Sequence, residues 1–227
     1  MSHLLIFDID GTLMSCGGSG RKSMNDAFYE VFNIENGFEK VNMAGCLDRA
    51  ILRSSLSIHK VTLEDEAVFF SLYGHYLKKN LKINPNVMVY AGVEALLDEV
   101  SSRKDILCAV GTGNCEIGAY EKLRAVGLHD RFILGGYGDH HDNRPQLIQH
   151  VIEQAKHRFG HEHRGSNTIV IGDTPLDIES GKAAGAMTVA VATGSCSEAE
   201  LRLHAPDLLL NNLSETKEFL LQIGLGS

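Results

Sequence analysis

No apolar run in this 227-residue chain approaches the ~20 residues that a bilayer-spanning helix needs. Its five cysteines, Cys16, Cys46, Cys108, Cys115 and Cys196, are scattered, odd in number and contain no C-x-x-C. That spacing argues against a disulfide framework or a cysteine zinc site and for a reducing compartment. Basic charge is also in deficit: 21 Lys and Arg stand against 29 Asp and Glu, a net charge of -8. Such a surface has no general attraction for nucleic acid or anionic membranes, although a local pocket can oppose the global sign. The first residues lack the basic stretch and cleavable apolar segment of a leader. The expectation is a soluble cytoplasmic protein that binds neither nucleic acid nor membrane.

The apolar fraction of 44% and charged fraction of 22% are ordinary for a globular protein. At this length the chain can form one large domain or a main domain with a smaller one attached. Its organising stretch is Leu4-Leu5-Ile6-Phe7-Asp8-Ile9-Asp10-Gly11-Thr12-Leu13. A short apolar run ended by a Gly turn reads as a strand buried on both faces, as in a parallel sheet. Alternation sends Asp8 and Asp10 to one side and Ile9 to the other. Two close carboxylates resist joint ionisation without a cation or a shared proton. The strand end therefore suggests a metal site, an acid/base pair, or merely a polar turn.

Helical periodicity follows over about 21–33, 48–58 and 63–81, the last with Thr62 as its expected N-cap and acids in its first turn. An all-helical stretch of this length is too long for a connection and reads as an inserted subdomain, 17–87. From Ala91 onward helices alternate with strands near 106–110, 132–134, 168–171, 187–192 and 207–210. The fold class expected is α/β, a doubly wound parallel sheet formed by 1–16 and 88–227 with an inserted all-helical subdomain. Ligands in such sheets bind at the carboxyl ends of the strands. Here strand ends carry Asp8 and Asp10, then Thr112 to Asn114, then Gly172 to Asp177.

Several tempting motifs fail. A phosphate loop would need Gly at 16 and 21, where Cys16 and Arg21 stand, leaving a flexible turn from which Arg21 or Lys22 could reach a phosphate. Gly111 and Gly113 lack the third Gly of a dinucleotide fingerprint, because position 116 is Glu. His140-His141 and His161-Glu162-His163 lack metal-ligand spacing and read as solvated loop histidines. Cys115 near a helix N-terminus could have a lowered pKa, but with no general base nearby it reads as structural.

The remaining polar groups suit one chemistry. Asp8, Asp10 and Asp173 are oxygen ligands of the kind Mg²⁺ takes alongside substrate phosphate. Thr112 offers a hydroxyl, and the turn through Gly113 and Asn114 exposes backbone N–H groups where a phosphate would sit. Arg144 can offset charge on a transferred phosphoryl group. Each also has a plain reading: Thr112 as an N-cap, Arg144 as a surface residue, Asp177 as a first-turn helix acid.

In order along the chain, Asp8-Ile9-Asp10-Gly11-Thr12 resembles the D-x-D-G-T signature of the haloacid dehalogenase-like (HAD) superfamily. Thr112 after its strand resembles the second motif of that superfamily. Gly172-Asp173-Thr174-Pro175-Leu176-Asp177 resembles the fourth, and Tyr90-Ala91-Gly92-Val93 the return from the cap in phosphoglycolate phosphatase-like members. For the third motif, many relatives have Lys-Pro where this chain has Arg144-Pro145. The resemblance, which spans nearly the whole chain, implies Asp8 as nucleophile and Asp10 as acid/base. It implies Mg²⁺ held by Asp8, the Asp10 carbonyl and Asp173, with Asp177 in support. Thr112, Gly113, Asn114 and Arg144 would hold the phosphoryl oxygens, and the helical insert would be a cap. Arg49 lies where related caps present substrate-reading residues.

Asp10 narrows the reaction, since dehalogenases and phosphonoacetaldehyde-cleaving relatives generally depart there. The implied function is a Mg²⁺-dependent phosphatase acting on a small phosphorylated metabolite. A phosphosugar mutase like β-phosphoglucomutase is the alternative, and a non-catalytic phosphoacceptor a more distant one.

Overall fold

The computed structural model describes residues 2–160, 163 and 165–226; His161 and Glu162, in the second histidine group, lie outside them. Leu4 to Phe7 are fully buried, and their alternation explains why. In strand β1 (His3–Phe7), Leu5 and Phe7 enter one apolar cluster while Leu4 and Ile6 enter another on the opposite face. Only a strand in the middle of a two-sided sheet needs this pattern.

β1 does lie in the middle. Six parallel strands run in the order β5 (Leu134–Gly136), β4 (Ile106–Gly111), β1, β6 (Gly165–Gly172), β7 (Ala186–Val191), β8 (Leu208–Leu210). Helices α4 (Val93–Ser101), α5 (Glu116–Ala125) and α9 (Thr216–Gln222) pack on the Phe7 face. On the Ile6 face, α6 (Arg144–Phe159) covers the sheet. Helix α7 (Pro175–Ala183) connects β6 to β7, and α8 (Glu198–Leu203) precedes β8. The order reverses around β1, which places a crevice at its carboxyl end.

Between β1 and α4 the chain makes helices α1 (Ser19–Phe32), α2 (Asp48–His59) and α3 (Glu66–Ile83). These have their own core, in which Phe28 packs edge-on against Phe38 at 5.3 Å and against Phe69 at 6.4 Å. The insertion begins and ends on a two-residue antiparallel ribbon, β2 (Met14–Ser15) with β3 (Met88–Val89).

Two expectations need correction, and one element was not foreseen. The helix expected from Leu63 behind Thr62 starts at Glu66, because Asp65 caps it and accepts the Ala67 N–H at 2.8 Å. The strand expected at 132–134 lies two residues later. Its glycines let α6 approach closely: a Cβ on Gly136 would lie 2.9 Å from the Leu147 carbonyl oxygen. The β2–β3 ribbon is too short to leave a periodic pattern, and the sequence does not reveal it.

Candidate functional site

Beyond Phe7 the backbone leaves the strand. Asp8 still donates its N–H to Ile171 on β6, and the N–H groups of Thr12, Leu13 and Met14 all point to the Ile9 carbonyl. This tight turn needs Gly11 at φ +85°, where an L side chain is strained. A Cβ there would also lie 2.2 Å from Asp173 Oδ2, so Gly11 lets the acidic loop after β6 approach. Thr12 Oγ1 donates to Asp173 Oδ1 at 3.1 Å and fixes that carboxylate from the other side.

Asp8, Asp173 and Asp177 converge. Each offers one carboxylate oxygen, and the three lie within 4.8 Å of one another. Burial raises Asp8 to about 7, with Asp177 and Asp10 repelling it further while Arg144 and Thr112 oppose the shift. Burial, then repulsion from Asp177 and Asp8, takes Asp173 to about 8. Such a set of buried, mutually repelling oxygen donors fits a hard cation such as Mg²⁺. Asp177 is also the first-turn acid of α7, forming a capping box with Thr174, whose Oγ1 donates to Asp177 Oδ2 at 2.6 Å.

Arg144 is the first residue of α6, because Asn143 is the cap and its side-chain oxygen accepts the Gln146 N–H. Far from being a surface residue, it is 5% exposed. Its Nη2 contacts Asp177 Oδ1 and lies 3.2 Å from Asp8 Oδ1. Its Nη1 donates to the Gly45 carbonyl of the helical insertion at 3.0 Å. Burial alone would lower its pKa, but Asp177 and Asp8 more than offset that and raise it.

Thr112 does not cap α5, whose cap position is Cys115. Its hydroxyl accepts from Asn114 Nδ2 at 2.8 Å and pulls the Asp8 pKa down slightly against burial. Gly113 is needed for close approach, since a Cβ there would lie 2.3 Å from the Cys46 carbonyl oxygen. The side chain of Asn114 turns toward Asp10, donating Nδ2 to Asp10 Oδ2 at 2.8 Å. Asp10 is thus separate from the three-carboxylate group, and its partner is Lys122 at 2.5 Å. Burial would raise Asp10, but that ammonium and the Asn114 amide hold it below the usual carboxylate range.

Asp8, Asp10, Thr112, Asn114, Lys122, Arg144 and Asp173 line a cavity of about 510 Å³ roofed by the insertion, whereas Asp177 lies behind its wall. From the insertion come Arg21, Met43, Asp48 and Tyr73. Arg21 bonds the carbonyls of Phe38 and Val41, whereas Lys22 pairs with Asp26. Arg49 lies elsewhere, paired with Glu66 at 2.6 Å. Cys115 is buried, which pushes its thiol pKa up rather than down.

Lys122 and Asp48 escaped the sequence reading. Lys122 shares the buried stripe of α5 with Gly118 and Ala119, and a lysine at such a helical spacing was the available signal. Asp48 is the first residue of α2 and reads locally as an ordinary first-turn acid.

Among the described residues no helix is long and apolar enough to cross a membrane. No curated protein matches the sequence. Solved structures do. A predicted phosphoglycolate phosphatase from Haemophilus somnus has a TM-score of 0.70 at 18% identity, covering 96% of this chain and 97% of its own. A predicted phosphatase from Clostridium acetobutylicum reaches 0.71 at 20% identity, with coverage of 98% and 99%. A Thermotoga maritima protein assigned as a β-phosphoglucomutase reaches 0.64 at 21%, with coverage of 98% and 99%. At such identities these likenesses establish the fold. The profile of haloacid dehalogenase-like hydrolases matches residues 5–191, and the chain belongs to that family.

Proposed function

We propose that this protein is a Mg²⁺-dependent phosphatase that hydrolyses a small phosphomonoester through an aspartyl-phosphate on Asp8. The observation that carries the reading is the convergence of Asp8, Asp10, Thr112, Arg144 and Asp173 on one cavity at the ends of β1, β4 and β6. Asp8 would attack phosphorus, breaking its bond to the alcohol oxygen, while Asp10 gives that oxygen a proton. A water would then attack the acyl phosphate, Asp10 taking its proton as the Asp8–phosphorus bond breaks. Thr112, the turn at Gly113 and Asn114, and Arg144 would steady the phosphoryl oxygens. Asp8, the Asp10 carbonyl and Asp173 would hold the Mg²⁺, with Asp177 supporting, and the ion would offset phosphoryl charge. Residues 17–87 act as the cap, excluding water and selecting the leaving group.

Purified protein, Mg²⁺ and a panel of phosphorylated metabolites test this. Phosphate should be released in proportion to substrate consumed, and Asp8→Asn should abolish turnover. An isomeric phosphate ester formed without free phosphate would replace hydrolysis by the mutase reaction, which needs the same two aspartates. Full turnover in Asp8→Asn would overturn both.

A further inference from the structure

Lys122 has no place in the mechanism above, yet it is 4% exposed in the catalytic cavity. Burying an ammonium costs several kcal/mol in lost hydration, so an apolar residue would serve the α5 stripe better. Asp10 is the chief compensating charge, with Asp48 a lesser one. Lys122 Nζ lies 2.5 Å from Asp10 Oδ2 and 2.5 Å from Asn114 Oδ1, while Asn114 Nδ2 donates to the same Asp10 oxygen at 2.8 Å. Asn114 Nδ2 also lies 2.8 Å from Thr112 Oγ1. A closed triangle of side chains thus holds the Asp10 carboxylate. Lys122 and Asn114 come from α5 and the turn before it, so neither belongs to the helical insertion.

We propose that Lys122 is a positioning residue for proton transfer: with Asn114 it fixes the Asp10 carboxylate toward the leaving-group oxygen. The proposal rests on the phosphatase reading for the identity of the step. A carboxylate free to rotate loses much of its value as acid or base, because proton transfer requires hydrogen-bond reach. Clamping by the sheet domain keeps Asp10 aimed whether or not the insertion is closed.

The test uses Lys122→Met and Lys122→Ala in the full chain with an alkyl phosphomonoester that the wild type hydrolyses. The kcat of Lys122→Met should fall by about 10²-fold, the scale of one acid/base group, with KM changed by less than about threefold. Methylammonium should partly restore kcat to Lys122→Ala. The double variant Asp10→Asn/Lys122→Met should be no slower than Asp10→Asn alone. A loss carried by KM, or one that multiplies with the Asp10→Asn loss, would overturn the proposal. A crystal structure of Lys122→Met gives a reading free of turnover: Asp10 should leave its place beside Asn114. An unmoved Asp10 would refute positioning even if no phosphoester were hydrolysed, an outcome that by itself sinks the phosphatase reading alone.

Discussion

The carboxylate of Asp48, on the first turn of α2, accepts the backbone N–H of Cys115 at the start of α5 at 2.9 Å. The Asp48 N–H in turn donates to the Gly113 carbonyl at 2.7 Å, and Arg144 reaches the Gly45 carbonyl. The insertion is therefore bonded to the same loops that carry Thr112 and Arg144.

Asp48 makes stability depend on pH. Burial raises it from 3.8 to about 6, against a smaller opposing pull from Lys122. Between those values the folded state binds more protons than the unfolded one, so this group's contribution falls as pH rises. The shift corresponds to about 3 kcal/mol as an upper bound. Asp48→Asn retains an oxygen acceptor without the charge. Its melting temperature should gain on the wild type as pH rises from about 4 to about 6 and hold that gain above. Thermal melts followed by circular dichroism check this, and a shrinking difference would contradict it.

A Mg²⁺ ion held as proposed would compete with protons for Asp8 and Asp173, whose pKa values are raised to about 7 and about 8. In the metal-free protein both groups lose stabilisation as pH rises through those values. The rise in melting temperature on adding Mg²⁺ should therefore be larger at about pH 8.5 than at about pH 6. Asp173→Asn should abolish the Mg²⁺ effect without lowering the metal-free melting temperature. A shift independent of pH, measured by differential scanning fluorimetry, would count against the three-carboxylate site.

Arg144 uses two nitrogens on three oxygens, which a lysine cannot reproduce. Arg144→Lys should fold, yet kcat/KM should fall by about 10²-fold, the scale of losing one charged donor at a reacting centre. Steady-state kinetics with an active phosphoester would decide, and near-normal turnover would show that charge alone suffices.

Gly194 supports Asp173 by absence. A Cβ there would lie 1.6 Å from Asp173 Oδ2, so Gly194→Ala should push that carboxylate aside. Mg²⁺ affinity should weaken by about 10-fold or more while the circular dichroism spectrum stays unchanged. An unaltered Mg²⁺ titration would show that the loop yields instead.

Much of this was legible in the sequence because burial and alternation leave marks. Leu4 to Phe7 read as a buried strand of a parallel sheet, and Asp8, Asp10 and Asp173 stood just past strand ends, where such sheets bind ligands. What escaped detection was set by neighbours distant in sequence. Leu134 to Gly136 is a strand because β4 supplies partners at Ala109 to Gly111, and its two glycines carry no strand signal. Asp65 displaced Thr62 as a cap because both are good acceptors three residues apart. Lys122 reads as an ordinary helical lysine until the fold brings Asp10 to 2.5 Å from it.

The short ribbon of β2 and β3 has one more consequence. Met14 pairs with Val89 and Ser15 with Met88, so the chain leaves the sheet domain and re-enters it at neighbouring points. Everything between can be exchanged for a unit of another size without rerouting a strand. A roof attached through one such ribbon leaves the order of the strands that carry Asp8, Thr112 and Asp173 independent of its size.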